Sequence, residues 1–201
     1  MKITAIKQQV KRPDRYSVFV DGKYAFGLSE SGLLTSCLAS GQEITGEQLQ
    51  AFKKTAGLDK AYGNAVRYVA MRPRSEWEMS EYLRRKGIDA EAAAQIVERL
   101  KNLQLLDDLA FAKAWIQSRR ALKSASTRRL QQELRQKHVP DDVIGIALQA
   151  AATDEREALR NILEKKRARY PDDQKLMHYL ARQGFSLEDI RAAMSEIQQQ
   201  K

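Results

Sequence analysis

Residues 72–108 read RPRSEWEMSEYLRRKGIDAEAAAQIVERLKNLQLLDD, and their reading decides the fold. The stretch spells two short helices joined by a tight break. Ser75 is a good N-cap, and Glu78 follows it at the capping-box spacing. Trp77, Met79, Tyr82 and Leu83 supply an apolar side. Arg84, Arg85 and Lys86 crowd the last turn, where cations complement the helix dipole. Gly87 then stops the helix as a left-handed residue would. A second helix is expected from about Ala90 to Leu103, with Ala93, Ile96, Val97, Leu100 and Leu103 at the spacing of a buried face.

The pattern recurs. LRRKGIDAE from Leu83 returns as LRQKHVPDD from Leu134 and as LARQGFSLE from Leu180. Each copy has a capped start, a short apolar-striped helix, a Gly or His break and a second, acid-led helix. Each is preceded by another helical run: Leu58–Arg72, Asp108–Lys123 and Asp154–Arg169. The repeat unit is therefore three helices, present three times, the last copy being looser, as terminal repeats are. His138 stands in the break where Gly87 stands in the first copy, which gives it a turn role.

Residues 1–29 read differently. β-branched and aromatic residues alternate around Ile3, Ala5, Tyr16, Val18 and Val20, favouring strands. Asp21-Gly22 is a hairpin signal and Pro13-Asp14 a turn signal. A three-stranded antiparallel meander is expected over 2–10, 15–20 and 23–28. A covering helix would present Leu33, Leu34, Cys37 and Leu38. A second would be capped by Thr45 with Gln48, face Leu49 and Phe52 inward, and stop at Gly57, with a hinge near 56–60. The expected architecture is mainly α: three tandem three-helix repeats, helix-turn-helix-like, in a curved array, preceded by the small sheet and its helices. The segments are 1–57, 58–106, 107–152 and 153–201.

In the later repeats Phe111, Ala112, Trp115 and Ile116 read as core, as do Leu130, Leu134, Val143, Ile144, Ala147 and Leu148. Pro140 suits a helix start, and Gly145 within that helix suits a close helix crossing. Leu159, Ile162, Leu163, Leu176, Tyr179 and Leu180 line the third repeat. Ser186 with Asp189 caps the last helix, whose Ile190, Met194 and Ile197 face in.

The chain of 201 residues is 43% apolar, carries a formal charge of +9 and has one cysteine, Cys37. No internal disulfide can form, no run of apolar residues is long enough to span a bilayer, and the first residues lack a secretory h-region. A cytoplasmic protein is the expectation. Basic residues outnumber acidic ones in each of the four segments, so no single tail carries the charge. Such a spread suits a protein that follows an extended anionic surface. His138 and His178 have no partners at ligand spacing, no glycine-rich phosphate loop is present, and no nucleophile–base arrangement is nominated. The reading is of a non-enzyme with no catalytic residues, metal or cofactor.

The basic groups cluster at helix ends and the links after them: Arg72 and Arg74; Arg84, Arg85 and Lys86; Arg119, Arg120 and Lys123; Arg128 and Arg129; and Lys165, Lys166, Arg167 and Arg169. Repeated units place equivalent positions along one surface, which would make these clusters a discontinuous phosphate-contact track. Dipole compensation on solvated helix ends competes as an explanation.

SEWEMSEYLRRKGIDAEAAAQIVERL and the following LQLLDDLAFAKAWIQSR resemble the RecX family of recombination regulators, and RRLQQELRQKHV matches the family's manner. The resemblance covers roughly Leu58 to the end, and ITAIKQQVKRPDRYSVFVDGKYAFGLS resembles the extension of longer members. It implies tandem three-helix repeats that bind the RecA recombinase filament on DNA and modulate it, mostly by inhibition of ATP hydrolysis, strand exchange and filament growth. The partners expected are therefore the RecA filament and single- or double-stranded DNA, with the chain a monomer and no membrane involved. The contact candidates on the charge reading are Arg72, Arg74, Arg84, Arg85, Lys86, Arg119, Arg120, Lys123, Arg128 and Arg129. The alternative is a direct DNA-binding helix-turn-helix protein, although DAEAAAQIVERLKNLQ offers few groups that could read base edges.

Overall fold

The computed structural model describes residues 1–151 and 154–199; the side chains of Lys123, Asp154 and residues 197–199 lie outside the description, and with them the expected inward face of Ile197. Strands β1 (Ile3–Gln9), β2 (Arg12–Val20) and β3 (Lys23–Ser29) form one antiparallel meander with β2 in the middle. Asp21 and Gly22 both take positive φ (47° and 78°), the twist-matched hairpin turn that their dipeptide predicts. Pro13-Asp14 is no turn. It lies inside β2, and the chain reverses at Val10-Lys11 instead. The missing N–H of Pro13 costs the sheet little, because pairing with β3 begins only at Arg15.

Helices α1 (Glu30–Ser36) and α2 (Gly46–Met71) follow. The capping box of Thr45 and Gln48 is present. Two expectations for this region fail. Leu34 is exposed and Cys37 is the left-handed C-cap of α1, so the covering stripe reduces to Leu33 and Leu38, joined by Ile44, Leu49, Phe52 and Ala56. Gly57 neither stops a helix nor makes a hinge: α2 runs through it. Glycine costs a helix interior about 1 kcal/mol against alanine. Here the residue is exposed, with nothing within 4 Å of where its Cβ would be, while Ala56, Ala61 and Ala65 are buried. One helix therefore serves both the sheet, through β3, and the first repeat, through α4 (Ala90–Asn102). Buried Arg15 anchors it, pairing with Asp59 at 3.1 Å and donating to the Gly27 carbonyl at 2.9 Å.

Helices α3 (Glu76–Arg85), α5 (Asp108–Lys123), α6 (Thr127–Gln136), α7 (Asp141–Ala150), α8 (Asp154–Arg167), α9 (Asp173–Arg182) and α10 (Leu187–Gln199) complete the chain. The protein is mainly α, with three three-helix units after the small sheet. By compactness it divides into residues 1–72 with 80–105, and residues 73–79 with 106–201.

Each later repeat has a core of its own. Phe111, Ile116, Leu130, Leu134, Val139 and Ile144 make the second; Leu159, Leu163, Leu176, Leu180, Phe185 and Ile190 make the third. Trp115 only borders its core, and Leu103 caps α4 from an exposed position. Trp77 does not join the apolar side of α3. It is 41% exposed and its ring stacks on His138 at 4.2 Å. Gly145 marks no helix crossing, since nothing lies within 4 Å of where its Cβ would be.

Candidate interaction surface

The helix breaks that define the repeats are one device made three times. Gly87, His138 and Gly184 all take positive φ (74°, 55° and 95°). In each, the break residue's N–H returns to a carbonyl of the last turn, and the next N–H reaches back to the buried leucine: Ile88 to Leu83, Val139 to Leu134 and Phe185 to Leu180, at 3.2, 3.2 and 3.3 Å. These bonds satisfy carbonyls that a helix end leaves open, and the apolar residue after the break folds back over the leucine.

A second device locks breaks to caps. Ser75 Oγ accepts from Glu78 N at 3.2 Å and donates to the Lys137 carbonyl at 3.0 Å, one residue before His138. Ser126 Oγ accepts from Arg129 N at 3.3 Å and donates to the Gln183 carbonyl at 2.7 Å, one residue before Gly184. Both serines are wholly buried. An acid from the next repeat's first helix takes the neighbouring amide: Asp108 accepts from Glu76 N and Glu155 from Thr127 N, both at 2.8 Å. In the N-terminal region Asp59 accepts Ser29 N at 2.8 Å and its hydroxyl as well.

This scaffold sorts the basic candidates. Arg72, Arg84, Arg85, Lys86, Arg128 and Arg129 are exposed, Arg74 and Arg119 are half-buried, and the side chain of Lys123 lies outside the described residues. Arg120 is not a surface group. It is buried, and its guanidinium donates to the Ala151 carbonyl and to Thr127 Oγ1 at 3.1 Å, tying α5 to the start of α6. A helix-end arginine reads the same in sequence whether it turns outward or in.

At the end of α3, Glu81 holds Arg84 through two bonds of 2.8 and 2.7 Å and takes Arg85 Nε at 3.7 Å. The Arg84 hydrogen bond holds the Glu81 carboxyl below the usual carboxylate range, and the same bond raises Arg84. Arg84, Arg85 and Lys86 are exposed and outnumber the one carboxylate of half-buried Glu81, so the cluster keeps excess positive charge at the surface. Lys86 lies over the Tyr82 ring, which stacks on Tyr68 at 4.0 Å.

The second repeat draws its cations together around one acid. Glu133 accepts from Trp115 Nε1 at 3.0 Å and pairs with Arg119 at 2.9 Å and Arg129 at 3.3 Å. Arg119 also covers the Trp115 ring. In the third repeat Tyr170 stacks on Tyr179 at 5.0 Å, with Arg169 and Lys166 at their faces, while Arg167 pairs with Asp173.

Sequence reasoning missed Lys137, which closes on Glu78 at 2.7 Å, and Arg182, which is exposed and forms no ion pair among the described residues. Aligning the repeats on Leu83, Leu134 and Leu180 puts Arg182 in the place of Arg85, and Lys137 in that of Lys86. That alignment was the available signal. No group of three metal-ligating side chains occurs among the described residues, and no helix of theirs is long and apolar enough to cross a membrane.

Family models match in four consecutive pieces. The RecX regulatory protein N-terminal domain matches residues 1–45, and the first, second and third RecX three-helix domains match 61–100, 107–148 and 154–194. The regulatory protein RecX of Bacillus pumilus is 32% identical over 96% of this chain and 76% of its own length. That of Caldanaerobacter subterraneus subsp. tengcongensis is 30% identical over 97% and 99%. A crystal structure of a regulatory protein RecX, 28% identical, superposes with a TM-score of 0.79 over 96% of this chain and 98% of that one. The chain belongs to the RecX family of regulatory proteins.

Proposed function

We propose that this chain regulates homologous recombination and DNA repair by binding the RecA filament on DNA and modulating it, chiefly by inhibiting ATP hydrolysis, strand exchange and filament growth. Family membership supports a regulatory role. The observation that carries the finer reading is the recurrence of the helix-break device, with exposed cations placed beside it: Arg84, Arg85 and Lys86 at the first break, Arg135, paired with exposed Asp141, at the second, and Arg182 at the third. A filament presents the same anionic contacts at regular intervals, and a chain that repeats one basic helix end is built to answer them. No catalytic role is part of this reading; regulation comes from occupancy, by a monomer in the cytoplasm.

The test is RecA ATP hydrolysis on single-stranded DNA, with this protein titrated in at substoichiometric amounts. The expected result is a progressive fall in rate that a heat-unfolded sample does not give, with shortened filaments in electron micrographs. An unchanged rate together with tight, sequence-selective binding to bare duplex would refute filament regulation and favour a helix-turn-helix DNA-binding protein.

A further inference from the structure

The second and third repeats meet in an open groove between α6 and the end of α9, lined by Arg128, Arg129, Gln132, Glu133, Gln136 and Arg182, with Gly184 at its base. Its chemistry is one-sided. The single carboxylate, Glu133, already accepts from Trp115, Arg119 and Arg129. Arg129 further donates to the Gln183 side chain at 2.9 Å. Arg128 and Arg182 are exposed and have no acidic partner among the described residues. What remains on offer is a set of guanidinium and amide N–H donors.

The equivalent place between the first and second repeats carries different side chains. Aligning the repeats puts Trp77 where Arg128 stands, Glu78 where Arg129 stands, Lys137 where Gln183 stands and His138 where Gly184 stands. There the Trp77 ring stacks on His138, and Glu78 takes the Lys137 ammonium at 2.7 Å. An aromatic pair and an ion pair stand where the groove has two arginines and a glycine. A side chain at position 184 would be strained. At φ +95°, a Cβ on Gly184 would lie 2.6 Å from Ser126 Oγ.

We infer that the groove between α6 and α9 is a nucleic-acid backbone site, in which Arg128 and Arg182 take phosphodiester oxygens and the glutamine amides add neutral donors. This rests on the proposed reading of a filament that contains DNA, and deepens it by naming one DNA-facing site. A phosphate backbone fits better than an acidic protein segment. Protein interfaces have apolar, often aromatic centres, whereas this lining contributes only Ala181 and Gly184 as nonpolar residues. Interfaces with nucleic acid are polar and basic. The absence of an exposed ring in the lining also predicts weak base preference, because stacking platforms are missing.

The experiment uses the full chain and a fluorescein-labelled oligothymidylate, with binding followed by fluorescence anisotropy from 50 to 200 mM salt. Two double variants are compared: Arg128→Gln with Arg182→Gln, and a charge-matched control, Lys113→Gln with Lys175→Gln, which removes two exposed lysines outside the groove. Circular dichroism confirms that both fold. The arginine double is expected to bind about 10-fold or more weakly at 50 mM salt, with a log–log salt slope shallower by about 1.4, two contacts at about 0.7 each for a single strand. The control should lose far less. Equal losses in the two doubles would overturn the groove as a site and leave only net charge. Unchanged DNA binding by the arginine double, with weakened binding to DNA-free RecA, would assign the groove to an acidic protein surface and overturn the inference. The ATP hydrolysis assay on the unaltered chain is separate: if it inhibits RecA while the arginine double binds oligothymidylate normally, the groove fails and filament regulation stands. If the groove result holds but RecA is unaffected, filament regulation fails and the DNA site stands.

Discussion

Substituting Gly184 by alanine tests the interlock between the second and third repeats. The residue sits at φ +95°, and the new Cβ would lie 2.6 Å from Ser126 Oγ, with Arg128 Cβ next at 3.4 Å. Left-handed backbone costs a residue with a side chain about 1–2 kcal/mol. Forcing a methyl into a packed site costs about 1–3 kcal/mol more. The expected destabilisation is therefore about 2–5 kcal/mol. At about 2–4 °C per kcal/mol for a chain of this size, the melting temperature should fall by about 4–20 °C. Ser126→Ala alone removes the cap on Arg129 N and the donor to the Gln183 carbonyl, for about 1–3 kcal/mol. The two should not add. Without Oγ the alanine methyl meets nothing closer than ordinary contact with Arg128, so the steric part disappears and only the backbone strain remains. A double-mutant cycle in urea, read by far-ultraviolet circular dichroism, should show the double less destabilised than the sum by the steric part, about 1–3 kcal/mol. Gly184→Ala within about 0.5 kcal/mol of the unaltered chain, or an additive cycle, would refute the proposed contact.

Three further outcomes follow from the same geometry. Gly57→Ala and Gly145→Ala fill open space on exposed helix faces, and each should raise stability by about 0.5–1 kcal/mol in urea; a loss would mean that either glycine makes a contact the structure does not show. Arg120→Gln should cost about 2–3 kcal/mol by removing buried bonds to the Ala151 carbonyl and Thr127, while DNA and filament binding measured well below the melting temperature stay unchanged; weakened binding by the folded variant would return Arg120 to the surface track. Glu81 has its folded pKa depressed by Arg84, so what the pairing contributes is present above the ordinary carboxylate pKa and is lost as pH falls through the lowered folded value. Arg84→Gln should move the Glu81 carboxyl resonance titration upward in NMR; an unmoved titration would mean that Arg84 does not hold it.

Periodicity made the repeats legible. Leu83, Leu134 and Leu180 recur with a break at the fourth residue after each, and all three leucines are buried and receive the same backward hydrogen bond. The hairpin at Asp21-Gly22 and the Thr45–Gln48 box were equally plain, because their residues are chosen by local geometry. The continuity of α2 was not legible, since Gly57 is a local stop signal and the helix packs on β3 and α4, both distant in sequence. The destiny of arginines was least legible of all. Arg119 and Arg120 are adjacent, yet one covers Trp115 and pairs with Glu133, while the other turns inward to the Ala151 carbonyl. Helical rotation alone separates them, and it can be read only when the neighbouring helices are in place.

The break residue sets more than the backbone. At the third break, Ser126 Oγ closes on the Gln183 carbonyl at 2.7 Å and φ is +95°, a region that side chains avoid. At the second, Ser75 reaches the Lys137 carbonyl at 3.0 Å and φ is +55°, within the left-handed well that histidine can occupy. That difference admits a ring at position 138 and excludes one at 184. The ring at position 138 stacks on Trp77, whereas at position 184, without one, the space beside Arg128 stays open. Two copies of one supersecondary unit thus carry different surface chemistry. The difference lies where the chain turns, in the residue at the break.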